Sequence, residues 1–132
     1  MINIVFAAII ARFKSSAGDN LRSLVTDMII TGSSRPLALP FMSFGMPPSA
    51  TEFTFDALHD IVEIQYDIWD DEPSPERAGV IEVEFNSVYD DHLLATTGGF
   101  VTYRVDRTFT QLLRDPDKGW NINMGYEYRM AC

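Results

Sequence analysis

The densest group of side chains that could do chemistry is acidic. Asp67, Asp70, Asp71 and Glu72 lie in one short stretch, and carboxylates are ligands that hard divalent cations prefer. A calcium loop also needs ligands at fixed offsets and a glycine at its sharp turn, and this run has no glycine. The pattern therefore favours a solvated strand end, and a site for a divalent ion or a basic partner is the alternative.

The histidines give a second, weaker indication of a metal site. His92 follows Asp90 and Asp91 directly, so an oxygen-and-imidazole site is conceivable. The favoured interpretation is that His92 ends an amphipathic helix, where a cation offsets the helix dipole. His59 lies far away in the sequence, in a different predicted element, and the one cysteine, Cys132, excludes the zinc sites that use paired cysteines.

Motifs of known catalytic chemistry are missing from the sequence. It has no Walker A sequence and no glycine fingerprint after a strand. Ser33 and Ser34 lack the context of a nucleophile elbow. We therefore predict no enzyme, with no catalytic, cofactor-binding or metal-binding residues.

The acidic cluster lies between the two elements that organise the chain, a long strand and a long helix. From Ile61 to Trp69 apolar and polar residues alternate, which predicts a strand with one buried face. Asp70 to Pro73 end it. Ser74 can cap the following helix, with Pro75 at its first position and Glu76 near the positive end of the dipole. The predicted buried stripe of this helix is Ala78, Ile81, Phe85, Val88 and Tyr89.

The amino-terminal part predicts two helices. Helical spacing of apolar residues predicts a first helix ending near Lys14, with Ile2, Phe6, Ile9, Ile10 and Phe13 on its buried face. Asp19 or Asn20 can cap a short second helix that carries Leu21, Leu24 and Val25. Residues Met28–Thr31 either extend that helix or start a strand.

Residues 32–58 form a loop or arm region rich in proline and in apolar side chains. One interpretation is an edge strand near Pro40–Met46 whose side chains complete the core. The alternative is a mobile arm that docks on a neighbouring subunit, because Met and Phe suit adaptable contact surfaces. Thr51–Phe55 is predicted to pair with the central strand across a turn near Asp56–Leu58.

The carboxy-terminal part predicts a strand pair. Val101, Tyr103 and Val105 alternate with polar residues, which predicts a half-buried strand that could continue through Phe109. The run Asp115–Gly119 favours a hairpin turn. In the last strand, one face carries Trp120, Ile122, Met124, Tyr126, Tyr128 and Met130.

These elements predict a single α+β domain spanning residues 1–132. Its antiparallel or mixed sheet is built from two strand pairs, with the amino-terminal helix and the long central helix packed on one face. The net charge of −9 and the pI of about 4.4 argue against wrapping or reading nucleic acid. The apolar run Ile4–Ala11 is too short to span a bilayer, and Arg12 and Lys14 follow it where an export signal has its charges first. We expect a soluble intracellular product.

Layout and local sequence resemble the tail-completion, or tail-terminator, proteins of long-tailed bacteriophages. The matching stretches are IVFAAIIARF, LRSLVTDMIITG followed by PLALPF, VEIQYDIWDD, SPERAGVIEVEFNSVYDDHL, FVTYRVDRTFT and GWNINMGYEYRM. Pro47, Pro48 and the stretch to Asp56 depart from the pattern.

The resemblance implies a structural role in the virion. Such proteins form a ring, typically a homohexamer, at the head-proximal end of the tail. The ring stops polymerisation of the tail tube protein, docks the head connector or stopper protein, and lets DNA pass without sequence-specific binding. Assembly would take place in the host cytoplasm, without cofactors or membranes. We predict subunit-interface residues at Phe41, Met42, Phe44 and Met46, and lumen or rim acids at Asp70, Asp71 and Glu72.

Two alternatives use the same sequence features. One is another head–tail neck or stopper protein. The other is a ligand-binding or enzymatic dimer of ferredoxin-like fold, with a pocket lined by Tyr66, Tyr103, Trp120 and Tyr126.

Overall fold

The computed structural model describes residues 2–32, 38–47, 53–56, 59–96, 99–115 and 119–131, with the backbone alone at Ile2, Phe53–Asp56, His59–Asp60 and Asp115. Three α-helices occur in the described chain: α1 (Ile2–Lys14), α2 (Asp19–Leu24) and α3 (Glu76–Tyr89). The strands are β1 (Met28–Ile30), β2 (Phe41–Gly45), β3 (Phe53–Asp56), β4 (His59–Asp70), β5 (Val101–Asp115) and β6 (Gly119–Ala131). A 3₁₀ turn, Ser16–Gly18, joins α1 to α2.

The strands form one mixed sheet with β4 and β6 at its centre. The order across the sheet is β1-β2-β4-β6-β5, and β3 pairs with the amino-terminal end of β4 on the same side as β2. β1 pairs with β2 in parallel, and every other pairing is antiparallel. The predicted α+β class is confirmed, and the sheet is mixed because of β1.

The core lies between the helices and one face of the sheet. The alternation predicted for β4 is confirmed, since Val62, Ile64, Tyr66 and Ile68 are all buried. Buried residues of β6 continue the same face: Ile122, Met124, Tyr126, Tyr128 and Met130. The buried stripe of α3 contains the five predicted residues, and its Phe85 ring lies 4.8 Å from the Tyr66 ring. Apolar burial of this extent is the main force that stabilises the fold.

Local sequence explains where α3 begins. Pro75 is the residue before the first helical turn, and the Ser74 hydroxyl accepts a hydrogen bond from the Glu76 N–H at 3.3 Å. The Gly79 N–H then donates to the Pro75 carbonyl at 2.9 Å. The helix therefore begins one residue later than predicted, with Pro75 at the N-cap and Ser74 before it, while Glu76 lies in the first turn as predicted.

Helix α1 is present as predicted, but its buried face is rotated about the helix axis relative to the predicted face. Val5, Ala8, Ile9 and Phe13 are buried, while Phe6 and Ile10 are half-buried. Phe6 lies at the rim of the core, where its ring meets the Phe44 ring edge-on at 5.2 Å. No helix in the described ranges is both long and apolar enough to cross a membrane.

The proline-rich segment supplies an interior strand of the sheet. β2 lies between β1 and β4. The prediction of a strand is therefore confirmed, but the prediction that this strand lies at the edge of the sheet is wrong. The mobile-arm interpretation is also wrong for Phe41–Gly45, because Met42 and Phe44 are fully buried in the core. The residues for which the sequence allowed either a helix or a strand form β1, which lies at the edge of the sheet outside β2. β3 pairs with β4 as predicted, and the turn at 57–58 lies outside the described residues.

β5 differs from its prediction in length and in pattern. It extends to Asp115, and it contains irregularities of register between Thr102 and Arg104 and between Arg107 and Phe109. Such bulges reverse which residues face the core. Thr102 is therefore buried, whereas Val101 and Tyr103, predicted on the buried face, are exposed. The hairpin to β6 is confirmed by the pairing of Asp115 with Gly119, and its turn lies outside the described residues.

Candidate functional site

Three acids of the cluster at the end of β4, Asp70, Asp71 and Glu72, are gathered around one cation. Arg77, in the first turn of α3, donates from Nε to Asp70 Oδ1 at 2.9 Å. Its guanidinium also lies 3.2 Å from Asp71 Oδ1 and 3.1 Å from Glu72 Oε1. The bond to Asp70 is the main reason that the pKa of Arg77 is raised above its usual value. This segment is thus partly neutralised and held within the fold.

The three acids differ in how much of them solvent can reach. The Asp70 side chain is 0% exposed and lies on the helix-covered side of β4, whereas those of Asp71 and Glu72 are 62% and 49% exposed. Asp70 therefore acts inside the subunit, through its ion pair with Arg77. The placement of the cluster at a lumen or rim stays a prediction, and the surface that Asp71 and Glu72 provide is where it applies.

The β5–β6 hairpin is fastened to this acidic end. Gly119 has a φ of +90°, and a Cβ at that position would lie 2.2 Å from the carbonyl oxygen of Asp70, so only glycine fits. The Trp120 indole N–H donates to the Pro73 carbonyl at 3.3 Å. The Arg114 guanidinium lies over the Trp120 ring, 5.2 Å from its centre. The hairpin base, the end of β4 and the start of α3 therefore form one unit.

The second candidate site, around His92, is not assembled in the structure. Asp90 accepts a hydrogen bond from the Tyr126 hydroxyl at 3.0 Å and lies 3.6 Å from Arg107 Nε, so it ties α3 to the sheet. His92 is exposed beyond the end of α3. Across the described ranges, no group of three or more His, Cys, Asp and Glu side chains is placed to hold a metal ion. The side chain of His59 lies outside the described part of the chain.

The predicted interface residues divide into two kinds. Met42 and Phe44 point to the helix layer and are 0% exposed, which makes them core residues of the subunit. Phe41 and Met46 are half-buried, and the Phe41 ring stacks on Trp69 on the opposite face, with 6.3 Å between ring centres. Their role in a subunit contact stays a prediction.

A polar network occupies the sheet face opposite the described helices, and sequence reasoning did not identify it. Asp67 is buried there and accepts a hydrogen bond from Gln65 Nε2 at 3.1 Å. Asn121 Nδ2 donates to the Ile68 carbonyl at 3.1 Å, and Asn123 Nδ2 donates to Asn121 Oδ1 at 3.0 Å. The polar halves of the β4 and β6 alternations were the available signal, because β4 and β6 are neighbours and place these residues side by side.

The environment of Asp67 disfavours the charged form of its carboxyl group. Burial raises the pKa of the Asp67 carboxyl above its usual value, while hydrogen bonds from Gln65 and Asn121 act in the opposite direction. Nearby, Trp69 Nε1 donates to the Ser43 hydroxyl at 3.1 Å, which extends the network to β2. We call the side of the sheet opposite the described helices, with these residues, the open face. The network on it is polar and ordered.

The aromatic residues proposed for a ligand pocket do not form one together. Tyr66 and Tyr126 belong to the core, with ring centres 5.4 Å apart. The hydroxyls of Tyr66 and Tyr128 bond to each other at 2.6 Å, and burial raises the pKa of both phenols well above the usual value. Tyr103 is exposed, and Trp120 packs at the rim of the core.

Several solved structures share this fold, and two of them show a range of similarity. A chain from the virion of a native gene transfer agent particle matches with a TM-score of 0.81 and 14% sequence identity, over 99% of this chain and 97% of that one. The gp17 protein of bacteriophage SPP1 matches with a TM-score of 0.59 and 14% identity, over 95% of this chain and 86% of that one. No protein-family model and no curated protein matches the sequence. At this identity the likeness is one of fold, and it is consistent with the head–tail joining family that the sequence resembles.

Proposed function

We propose that this protein is a structural component of a phage or phage-like virion that completes the tail. Copies form a ring at the head-proximal end, where the ring ends polymerisation of the tail tube and joins it to the head connector. The observation that carries the proposal is the shared fold over 99% of the chain with a gene transfer agent virion protein.

The charge of the molecule supports passage of DNA through the lumen of this ring. The chain carries a net charge of −9, and Asp71 and Glu72 project acidic groups at one end of the sheet. A lumen wall of the same sign as the phosphate backbone keeps DNA from adhering while it moves. Asp71 and Glu72 are therefore our candidates for the lumen or its rim.

The ring itself is proposed as a homohexamer closed by heterologous contacts, in which different patches of neighbouring subunits meet. Phe41 and Met46 are half-buried and remain candidates for such a contact. Met42 and Phe44, as core residues, would hold in place the strand that makes this contact. The partners are the tail tube protein on one side and the connector or stopper protein on the other. The product would act in the virion after assembly in the host cytoplasm.

A neck or stopper role at the same junction is the second candidate, since the same fold likeness favours it. The two roles differ in which neighbouring ring the protein touches. An enzymatic or ligand-binding dimer is less favoured, because Tyr66 and Tyr126 are packed in the core where that hypothesis requires them to line a pocket.

The test is a native-mass series over protein concentration, with and without a divalent cation, combined with negative-stain images and binding to purified tail tubes. The proposal expects rings with a central hole that bind tube ends, either in solution or when tube ends act as a template. Rings that bind connectors and ignore tube ends would favour the neck role. A stable dimer that never forms a ring, even with tube ends present, would contradict both.

A further inference from the structure

The outer edge of β5 is a long strand edge that no other described strand covers. β5 is the last strand of the sheet, and every residue from Thr108 to Arg114 is exposed. Three of these are large apolar residues, Phe109, Leu112 and Leu113, each more than 40% exposed. Exposed apolar residues on both faces of an edge strand are unusual in a protein that works alone.

This stretch also lacks the features that protect edge strands from pairing. Natural edges are blunted by proline, lysine, bulges or short length. Both irregularities of β5 lie before Phe109, and from Phe109 to Asp115 the strand pairs with β6 in unbroken register. Residues 108–114 contain no proline, lysine or acid. Among the described strands, only β6 pairs with this stretch, so its outer backbone groups face away from the sheet.

The opposite edge of the sheet, β1, is short and has outward-facing backbone groups. The Asp27 backbone carbonyl accepts a hydrogen bond from the Met42 N–H at 3.0 Å, and the Thr31 N–H donates to the Phe44 carbonyl at 2.7 Å. The backbone groups of the odd-numbered residues therefore bond to β2. Backbone groups alternate in direction along a strand, so those of Met28 and Ile30 point away from the sheet. A groove of about 500 Å³ lies along this edge, lined by Ile10, Lys14 and residues 27–32. Ile30 is 41% exposed.

Strand direction makes the two edges compatible. β5 runs parallel to β4, because each is antiparallel to β6, and β1 runs opposite to β4. Two copies placed side by side in the same orientation would therefore bring β5 and β1 together as antiparallel strands, the more stable arrangement. Leu112 and Ile30 lie on the helix-covered side of their strands, opposite Ile122 and Phe44 respectively, so they would meet on one face.

Charge also favours a contact between these two edges. Each copy carries −9, so two copies repel over most of their surfaces. Residues 28–51, which include β1, and residues 107–114 of β5 contain no Asp or Glu. The two open edges therefore lie where repulsion between copies is smallest.

We propose that β5 of one copy pairs with β1 of a second copy of this chain, so that the sheets join edge to edge around the ring. The inference rests on the proposed ring and names its subunit contact. It is heterologous, because one edge meets the other, so it repeats from copy to copy and forms a ring when the rotation between copies closes. Leu112 and Leu113 would be covered on assembly, with Leu112 packed against Ile30 and the groove of the next copy.

A cysteine cross-link tests this contact in the full-length chain. Cys132→Ser removes the native thiol, and Leu112→Cys is combined with Ile30→Cys. The edges of one sheet are four strand spacings apart, about 19 Å, so a much shorter bismaleimide can join them only between copies. The matched control pairs Ile30→Cys with Val83→Cys, since Val83 is 66% exposed on α3.

The proposal expects a ladder of covalent oligomers from the Leu112 and Ile30 pair, at least fivefold above the control, under conditions in which negative stain shows rings. Rings without this excess would overturn the edge contact and leave the proposed function standing. Failure to form any ring, with tube ends present, would overturn both. Circular dichroism and a single thermal transition establish that each variant is folded.

A variant with added charge tests the same contact independently. Leu112→Lys with Leu113→Lys places two cations at the β5 edge, where lysine blocks pairing in natural sheets. We expect ring assembly to require at least tenfold more protein by sedimentation velocity, and Val83→Lys to change it less than twofold. Equal behaviour of the two variants would contradict the proposal.

Discussion

Two buried aspartates three positions apart on β4 have opposite surroundings. Asp70 lies on the helix-covered side and pairs with the Arg77 guanidinium, while Asp67 lies on the open face among the amides of Gln65 and Asn121. A buried charge needs a charged partner or strong hydrogen bonds, since its desolvation costs several kcal/mol. The covered side supplies a cation, and the open face supplies only dipoles.

The difference extends to the two faces as a whole. The covered face is an apolar core of aromatic and aliphatic side chains, which fixes the helices against the sheet. The open face, on which none of the described helices packs, keeps Asp67, Asn121 and Asn123 in a connected polar network. One face therefore provides most of the stability of the subunit, and the other holds an ordered polar network whose Asp67 and Asn121 are buried.

The largest effect should come from the covered face. Phe85→Ala removes a ring that is 0% exposed and contacts Tyr66, Tyr89 and Tyr126. We expect a loss of about 4 kcal/mol in the free energy of unfolding, because the cavity adds to the lost burial. The control Val83→Ala, on the exposed side of the same helix, should cost less than about 0.5 kcal/mol. Urea denaturation measures both, and similar losses would contradict the assignment of the core.

A smaller effect is expected from breaking the charged pair. Arg77→Ala leaves the Asp70 carboxyl buried without its cation, and Asp70 Oδ2 already has no partner among the described residues. We expect a loss of about 3 kcal/mol at neutral pH. Asp71→Asn, which removes an exposed partner of the same arginine, should cost less than about 1 kcal/mol. If Arg77→Ala costs no more than Asp71→Asn, the ion pair is not what holds Asp70 inside.

The smallest effect should come from the open face, and it depends on pH. The pKa of Asp67 is raised in the folded state above its ordinary 3.8, so the folded protein holds the proton more tightly than the unfolded chain. The corresponding stability is complete below 3.8 and is lost as the pH rises through the raised pKa. Asp67→Asn should remove this loss and be at least as stable as the parent at neutral pH. Urea denaturation across about pH 4 to 7 tests it, with Asp71→Asn as the variant that keeps the dependence.

Several elements follow from local sequence alone. The stripe of α3 and its start to within one residue were predictable because helical spacing and helix-start signals depend on neighbouring residues. The buried face of β6 was predictable from strict alternation over a long run, as was that of β4. The resemblance to phage head–tail joining proteins also came from this pattern and agrees with the fold comparisons.

Other features depended on contacts between distant parts of the chain. The sequence could not choose strand for Met28–Ile30, because that choice is made by pairing with β2, fourteen positions along the chain. It placed Val101 and Tyr103 on the wrong face, since bulges in β5 respond to the register of β6 and not to local preference. It grouped Asp70 with Asp71 and Glu72 as surface acids, whereas the fold buries Asp70 against Arg77. Periodicity and capping were thus determined by the sequence itself, while register, sheet order and the partner of each buried charge were decided by tertiary packing, because these depend on which distant residues come together.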